Sequence, residues 1–288
     1  SKLDIHRGFS HSIVFAVLIA PLLGFVLQRL YRKKKEATTW EWTQLMFFAI
    51  FTHPLLDIFT TWGTQLLWPL DWRIAIQSIF VIDPLYTLPF PILVLIVLFL
   101  KRNNPKRKKL NHVALILSSS YLLITVGLKI AVNQVFSSSL IKQGIEFTRF
   151  ETRPTPFNTI LWTANVETGD AFYLGYYSFF DESEIDFIRF EKNLHLIQPY
   201  RNNPELERLI YLTKGYYILK KVPAGIEMYD LRFGLTEGFD QGKGEFVFTY
   251  LIEEQNGILS ISEKPKSFKG MKKVMEKLAQ RIGGTKSF

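Results

Sequence analysis

The sequence predicts a polytopic α-helical membrane domain of about four spans, residues 1–140, followed by a soluble α+β domain, residues 146–288. Three observations carry that expectation. Apolar runs of spanning length crowd residues 1–136, positive charge gathers in two short stretches that follow such runs, and from about residue 146 the pattern turns to strand-like alternation.

The spans fall at about Ser12–Gln28, Trp42–Phe59, Pro84–Leu100 and Val113–Phe136, each close to the roughly 20 residues that a bilayer core requires. The net charge is +9. Arg29, Arg32, Lys33, Lys34 and Lys35, offset by Glu36, together with Lys101, Arg102, Lys106, Arg107, Lys108 and Lys109, hold more than all of it, so the rest of the chain is close to neutral. Lys and Arg gathered beside spans mark cytoplasmic loops, and this placement argues against a nucleic-acid surface. With both basic loops inside, the first span runs inward and the fourth outward. The segment TWGTQLLWPLDWR (61–73), with three tryptophans suited to an interfacial belt, and the C-terminal domain then lie outside, the domain over the membrane face.

The chain has no cysteine, so disulfides and thiolate metal sites are excluded and a metal must be held by His and carboxylate. On this map His6 and His11 precede the first span, His53 and Asp57 lie near the outer end of the second, and Asp83 precedes the third. Five donor-type residues thus fall at one membrane level. His53 and Asp57, four apart in HPLLD, project from one face of a helix, and Pro54 bends that helix without separating them. Ionisable groups at such depth usually face a bundle interior or a watery cavity. Lys129 is a charge partner for them, or snorkels outward. Each residue also has an ordinary reading: His53 and Asp57 as an interhelical hydrogen bond, His6 and His11 as interfacial decoration, and Asp83 before Pro84 as a helix cap. Taken together the set points to a divalent metal site, with zinc expected and manganese an alternative. No role is assigned to His112 or His195. Arg153 and Arg232 could present guanidinium to a phosphate, although surface salt bridges are their ordinary explanation.

In the second domain NTILWTANVE, AFYLGYYSFF, YYILKKV, GIEMYDLRFG, EFVFTYLIEE and GILSISE read as strands, and PELERLIYLTKG and SFKGMKKVMEKLAQRIGG as helices, giving a mainly antiparallel sheet.

HRGFSHS, then HPLLDIFTTWGTQLLWP and Asp83, resembles the YdjM-like membrane-bound metal-dependent hydrolases of bacteria. RPTPFNTILW, YLGYYS and DLRFG look like the outer domain of longer members. The family is similar, more distantly, to zinc-dependent phospholipase C and single-strand nucleases, whose clusters use His-x-x-x-Asp pairs. The resemblance implies a multi-pass protein of the bacterial inner membrane with an extracytoplasmic C-terminal domain. It also implies phosphoester hydrolysis, and the membrane level of the polar cluster points to a lipid or lipid-linked substrate. Members typically begin with a further apolar helix and a Pro-Asp-x-Asp motif, so both are expected to precede Ser1 in the complete protein. In that reading His6, His11, His53, Asp57 and Asp83 hold the metal, Arg7 neutralises developing phosphate charge, and Ser10 orients a ligand or caps the first span. Two other classes fit the same polar cluster: a transporter or ion-binding protein, and a scaffold whose outer domain binds a partner.

Overall fold

The structure is a computed structural model and describes residues 8–32, 37–235, 244–255, 258–265 and 271–286. The chain forms two compact units, Ser1–Leu128 with Pro156–Asn158, and Lys129–Thr155 with Thr159–Phe288.

In the first unit a short 3-10 turn (Phe9–His11) leads into α1 (Ile13–Leu30). Ser12 starts that helix: its hydroxyl accepts from Phe15 N (3.1 Å) while donating to the Phe9 carbonyl (2.7 Å). A reciprocal capping box between Thr38 and Glu41 opens α2 (Thr39–Asp57). The two helices lie antiparallel. Tyr31 stacks on Trp42 at one end (5.5 Å), and His11 meets His53 at the other (5.1 Å). The buried face of α1 is Ala16, Ala20 and Gly24, three small residues at four-residue spacing that let the backbones approach closely. A Cβ on Gly24 would stand 2.4 Å from Thr43 Oγ1 and 2.7 Å from Thr43 N. Beyond α2, the segment 58–83 folds back over this end of the hairpin. Thr64 pairs with Ile74, Ile13 N donates to Leu66 O (3.0 Å), and Ile76 and Ser78 N donate to Ile58 and Phe59 O. Then come α3 (Pro84–Thr87), α4 (Pro89–Phe99) and α5 (Lys106–Lys142).

The four-span expectation is corrected here. Among the described residues two helices are long and apolar enough to cross a membrane, α1 and α5. Outside its small-residue face, α1 exposes Val17, Leu18, Leu22, Phe25 and Val26, and α5 exposes Leu115, Ile116, Leu123 and Ile124, the apolar surface that lipid would cover. The segment expected as the second span does form a helix, but α2 places Thr39, Glu41, Thr43 and Gln44 in its first turns and closes on His53 and Asp57, which lowers its hydropathy. The expected third span is broken where Leu88 caps α3 and Pro89 begins α4. The 11 residues of α4 reach only about 17 Å, short of a core of about 30 Å.

The second unit begins with the last turns of α5, whose Val132, Phe136 and Leu140 are fully buried, Phe136 edge-on to Tyr177 and Phe187. Two antiparallel four-stranded sheets follow. The first, in order β1-β2-β3-β4, uses β1 (Arg149–Pro154), β2 (Leu161–Glu167), β3 (Ala171–Ser178) and β4 (Phe187–Glu191). The second, in order β5-β6-β7-β8, uses β5 (Tyr217–Val222), β6 (Gly225–Leu235), β7 (Phe246–Gln255) and β8 (Ile258–Glu263). Leu161, Leu174 and Tyr176 of the first sheet share a core with Leu235 of the second and with Leu278 of the terminal helix α7 (Met271–Ile282). A second cluster packs α6 (Pro204–Leu212) onto the other sheet through Leu206, Leu209, Leu219, Met228 and Ile252. In β6 the register shifts between Asp230 and Leu235, where Gly234 takes a left-handed φ of 69° that a side chain would strain. All six strands expected from the sequence are present, and β1 and β4 are additions.

Candidate metal centre

The antiparallel hairpin brings residue 11 to residues 53 and 57. At the C-terminal end of α2, four-residue spacing puts His53 and Asp57 on one helix face. The 3-10 turn before α1 delivers His11 opposite them. Its backbone is pinned on both sides, with His11 N donating to Gly8 O (3.1 Å) and Thr64 Oγ1 donating to His11 O (3.4 Å). Asp57 Oδ2 lies 3.6 Å from His11 Nε2 and 3.9 Å from His53 Nε2, and one donor atom from each of the three residues lies within 4.8 Å of the others. These separations exceed direct hydrogen bonds, which close at about 2.7–3.2 Å. Donors held around a tetrahedral zinc at about 2.0–2.1 Å sit roughly 3.4 Å apart, so the set fits such an ion after a small contraction. Access is one-sided: the His11 and Asp57 side chains are 7 % and 15 % exposed, while that of His53 is 68 % exposed. Three protein donors with one open side is the arrangement of a site that keeps a position for water or substrate.

Ser10 Oγ lies 3.1 Å from His11 Nδ1. When Nδ1–H donates to Ser10, Nε2 keeps its lone pair toward Asp57. When the Ser10 hydroxyl donates instead, the proton sits on Nε2 and closes it to a cation. Capping of the first helix, the other role expected for Ser10, falls to Ser12.

Asp83 is not one of the three converging donors. Its Oδ1 accepts from Leu85 N (2.9 Å) and Tyr86 N (3.2 Å) as the cap of α3, and its Oδ2 accepts from the Tyr121 hydroxyl (3.0 Å). Tyr121 is a partner with no local signal in the sequence. Lys129 donates to the Thr152 carbonyl in the second unit. His195 is exposed. His6 and Arg7 lie outside the described residues. Arg232 and Arg153 differ from the surface ion pairs expected of them, because both are buried: Arg232 is closed by Asp230, and among the described residues Arg153 has no such carboxylate partner.

Two helices of spanning length with apolar outer faces, and a polar cluster at the end of one of them, fit a membrane setting. Residues 1–131 match the family model of the YdjM inner membrane protein family. That stretch contains every residue expected for the site. An uncharacterized protein of Bacillus subtilis (strain 168), YfhP, is 32 % identical over 80 residues, which is 27 % of this chain and 24 % of that protein. The likeness therefore spans about a quarter of the relative's length. No solved structure matches the chain.

Proposed function

We propose that this protein is a multi-pass membrane metal-dependent hydrolase that cleaves a phosphoester of a lipid or lipid-linked substrate at the outer face of the membrane. The observation that supports it is the convergence of His11 Nε2, His53 Nε2 and Asp57 Oδ2 from two helices. A divalent ion, zinc by preference, held by these residues would supply Lewis acidity toward water and toward a phosphoryl oxygen. Asp57 offsets the positive charge, and Ser10, when it accepts from His11 Nδ1, keeps the Nε2 lone pair available to the ion. His53, at the exposed rim, faces the side from which a substrate arrives, and Arg7 offers a guanidinium for the phosphate. The site sits at the end of α1 opposite Arg29 and Arg32, which is the extracytoplasmic end when the basic residues lie inside.

The test is metal content and phosphate release from mixed bacterial lipids by the full-length protein. His11→Ala, His53→Ala and Asp57→Ala should each lower bound zinc. His53→Ala and a chelator should each abolish turnover, with readdition of zinc restoring it only in the wild type. Wild-type zinc content in all three variants would overturn the metal site. A metal-loaded protein that releases no phosphate from any lipid would overturn the hydrolase.

A further inference from the structure

The β1 strand alternates so that Arg149, Glu151 and Arg153 share one face, opposite Glu167, Asn165 and Thr163 of β2. That face meets the second sheet. Asn165 Nδ2 donates to Leu231 O (2.8 Å), and Tyr216 packs against Phe172 (5.6 Å). Arg153 is 3 % exposed, and its Nε, Nη1 and Nη2 have no hydrogen-bond partner among the described residues. The same is true of Thr163 Oγ1, Asn165 Oδ1 and the Tyr216 hydroxyl, and these four residues supply all such orphaned buried side-chain atoms among the described residues.

The rest of this unit treats buried arginines differently. Arg232 is closed by Asp230 with contacts of 2.6–3.2 Å, and Arg281 by Asp181 at 2.6 and 2.8 Å. A guanidinium has five N–H donors and loses strong hydration on burial, so a buried one without acceptors is costly. Burial lowers the Arg153 pKa, and the nearby Glu151 and Asp230 carboxylates only partly offset this.

We infer that the seam between the sheets binds a small oxyanion, a phosphate or carboxylate group, gripped by the Arg153 guanidinium and by the Thr163 and Tyr216 hydroxyls. Asn165 Oδ1 is an acceptor, so it suits a ligand oxygen that carries a proton. Monohydrogen or dihydrogen phosphate offers one, and an ionised carboxylate does not. The orphaned atoms are sealed from solvent, so entry requires the seam to open. Its outer edge is Arg149, which lies over the Tyr216 ring (4.3 Å) and is held by Glu167 and the Lys214 carbonyl.

This site is independent of the hydrolase reading, and the experiment keeps the two apart. The full chain is purified in detergent and treated with EDTA, so that a metal at His11, His53 and Asp57 contributes nothing, then titrated calorimetrically with inorganic phosphate and with acetate. Saturable binding with phosphate ahead of acetate is expected. Arg153→Met should weaken it by about 10- to 100-fold, the loss of charge-assisted hydrogen bonds. Thr163→Val, which keeps the side-chain shape, should weaken it by a smaller factor and decides the matter if Arg153→Met fails to fold. No saturable binding of either anion, or wild-type affinity in Thr163→Val and in any folded Arg153→Met, would overturn the site.

Discussion

A histidine has two ring nitrogens, and what one of them touches decides what the other can do. In His11 the neighbour is Ser10 Oγ at 3.1 Å from Nδ1, with Nε2 turned to Asp57. Removing the hydroxyl frees the ring to rotate and to exchange tautomers, without touching any donor of the site. Ser10→Ala should therefore weaken zinc binding by about 10- to 100-fold, the usual scale for a partner behind a ligand, and Ser10→Thr should restore most of it. A competition titration against a chelating dye measures this, and equal affinity in Ser10→Ala and wild type would rule out the role. Asp83 makes the contrasting case. Both of its oxygens are engaged, by the α3 amides and by Tyr121. Asp83→Asn keeps one acceptor for the cap, and it should leave zinc content unchanged in the same titration.

The α1–α2 hairpin is the element that brings His11 to residues 42 or more positions away, and at Gly24 the two helices approach tightly. A Cβ there meets Thr43 N at 2.7 Å and Thr43 Cα at 2.8 Å as well as the hydroxyl. The obstruction is therefore backbone, and the helices must separate to relieve it. Gly24→Val should cost about 1–3 kcal/mol or more in thermal or denaturant unfolding and should lower bound zinc by parting His11 from α2. Thr43→Ala should not rescue it, because the backbone atoms remain; a full rescue would show that only the side chain mattered. Much of this was legible in sequence. The HPLLD spacing gave a shared helix face, whereas the small-residue face of Ala16, Ala20 and Gly24 emerged only with the packed helices. The strands were legible where aromatic and β-branched residues alternate. RFETRP and FIRFE were not, because charged residues on edge strands break the apolar signal. With β1 unread, nothing in the sequence put Arg153 on a face with Arg149 and Glu151, or showed that a second sheet covers that face.

At the scale of the whole molecule, apolar length alone overstated the number of spans, because hydropathy counts residues and does not see a Pro89 break or the cost of Glu41 and Gln44 in a first turn. The charge asymmetry carries the remaining information. Arg29 and Arg32 lie at the C-terminal end of α1, and Lys106, Arg107, Lys108 and Lys109 at the N-terminal end of α5. If both ends face the cytoplasm, α1 runs inward and α5 outward. The segment 58–83 is tied by the Leu66 carbonyl to Ile13 at the opposite end of α1, so in that orientation it and the site would lie on the outer side. In that orientation α5 would deliver its C-terminal end, and the chain that follows it, to the outer side. Single cysteines can be introduced into the chain without interference, since it has none of its own. In intact cells Leu70→Cys and Glu182→Cys should react with a membrane-impermeant maleimide, while Arg32→Cys and Asn104→Cys should react only after permeabilisation. The reverse pattern would put the His11, His53 and Asp57 cluster on the cytoplasmic face and remove the outer-leaflet substrate. Labelling of Leu70→Cys with protection of Glu182→Cys would keep the site outside but would deny that α5 crosses, leaving the second unit inside.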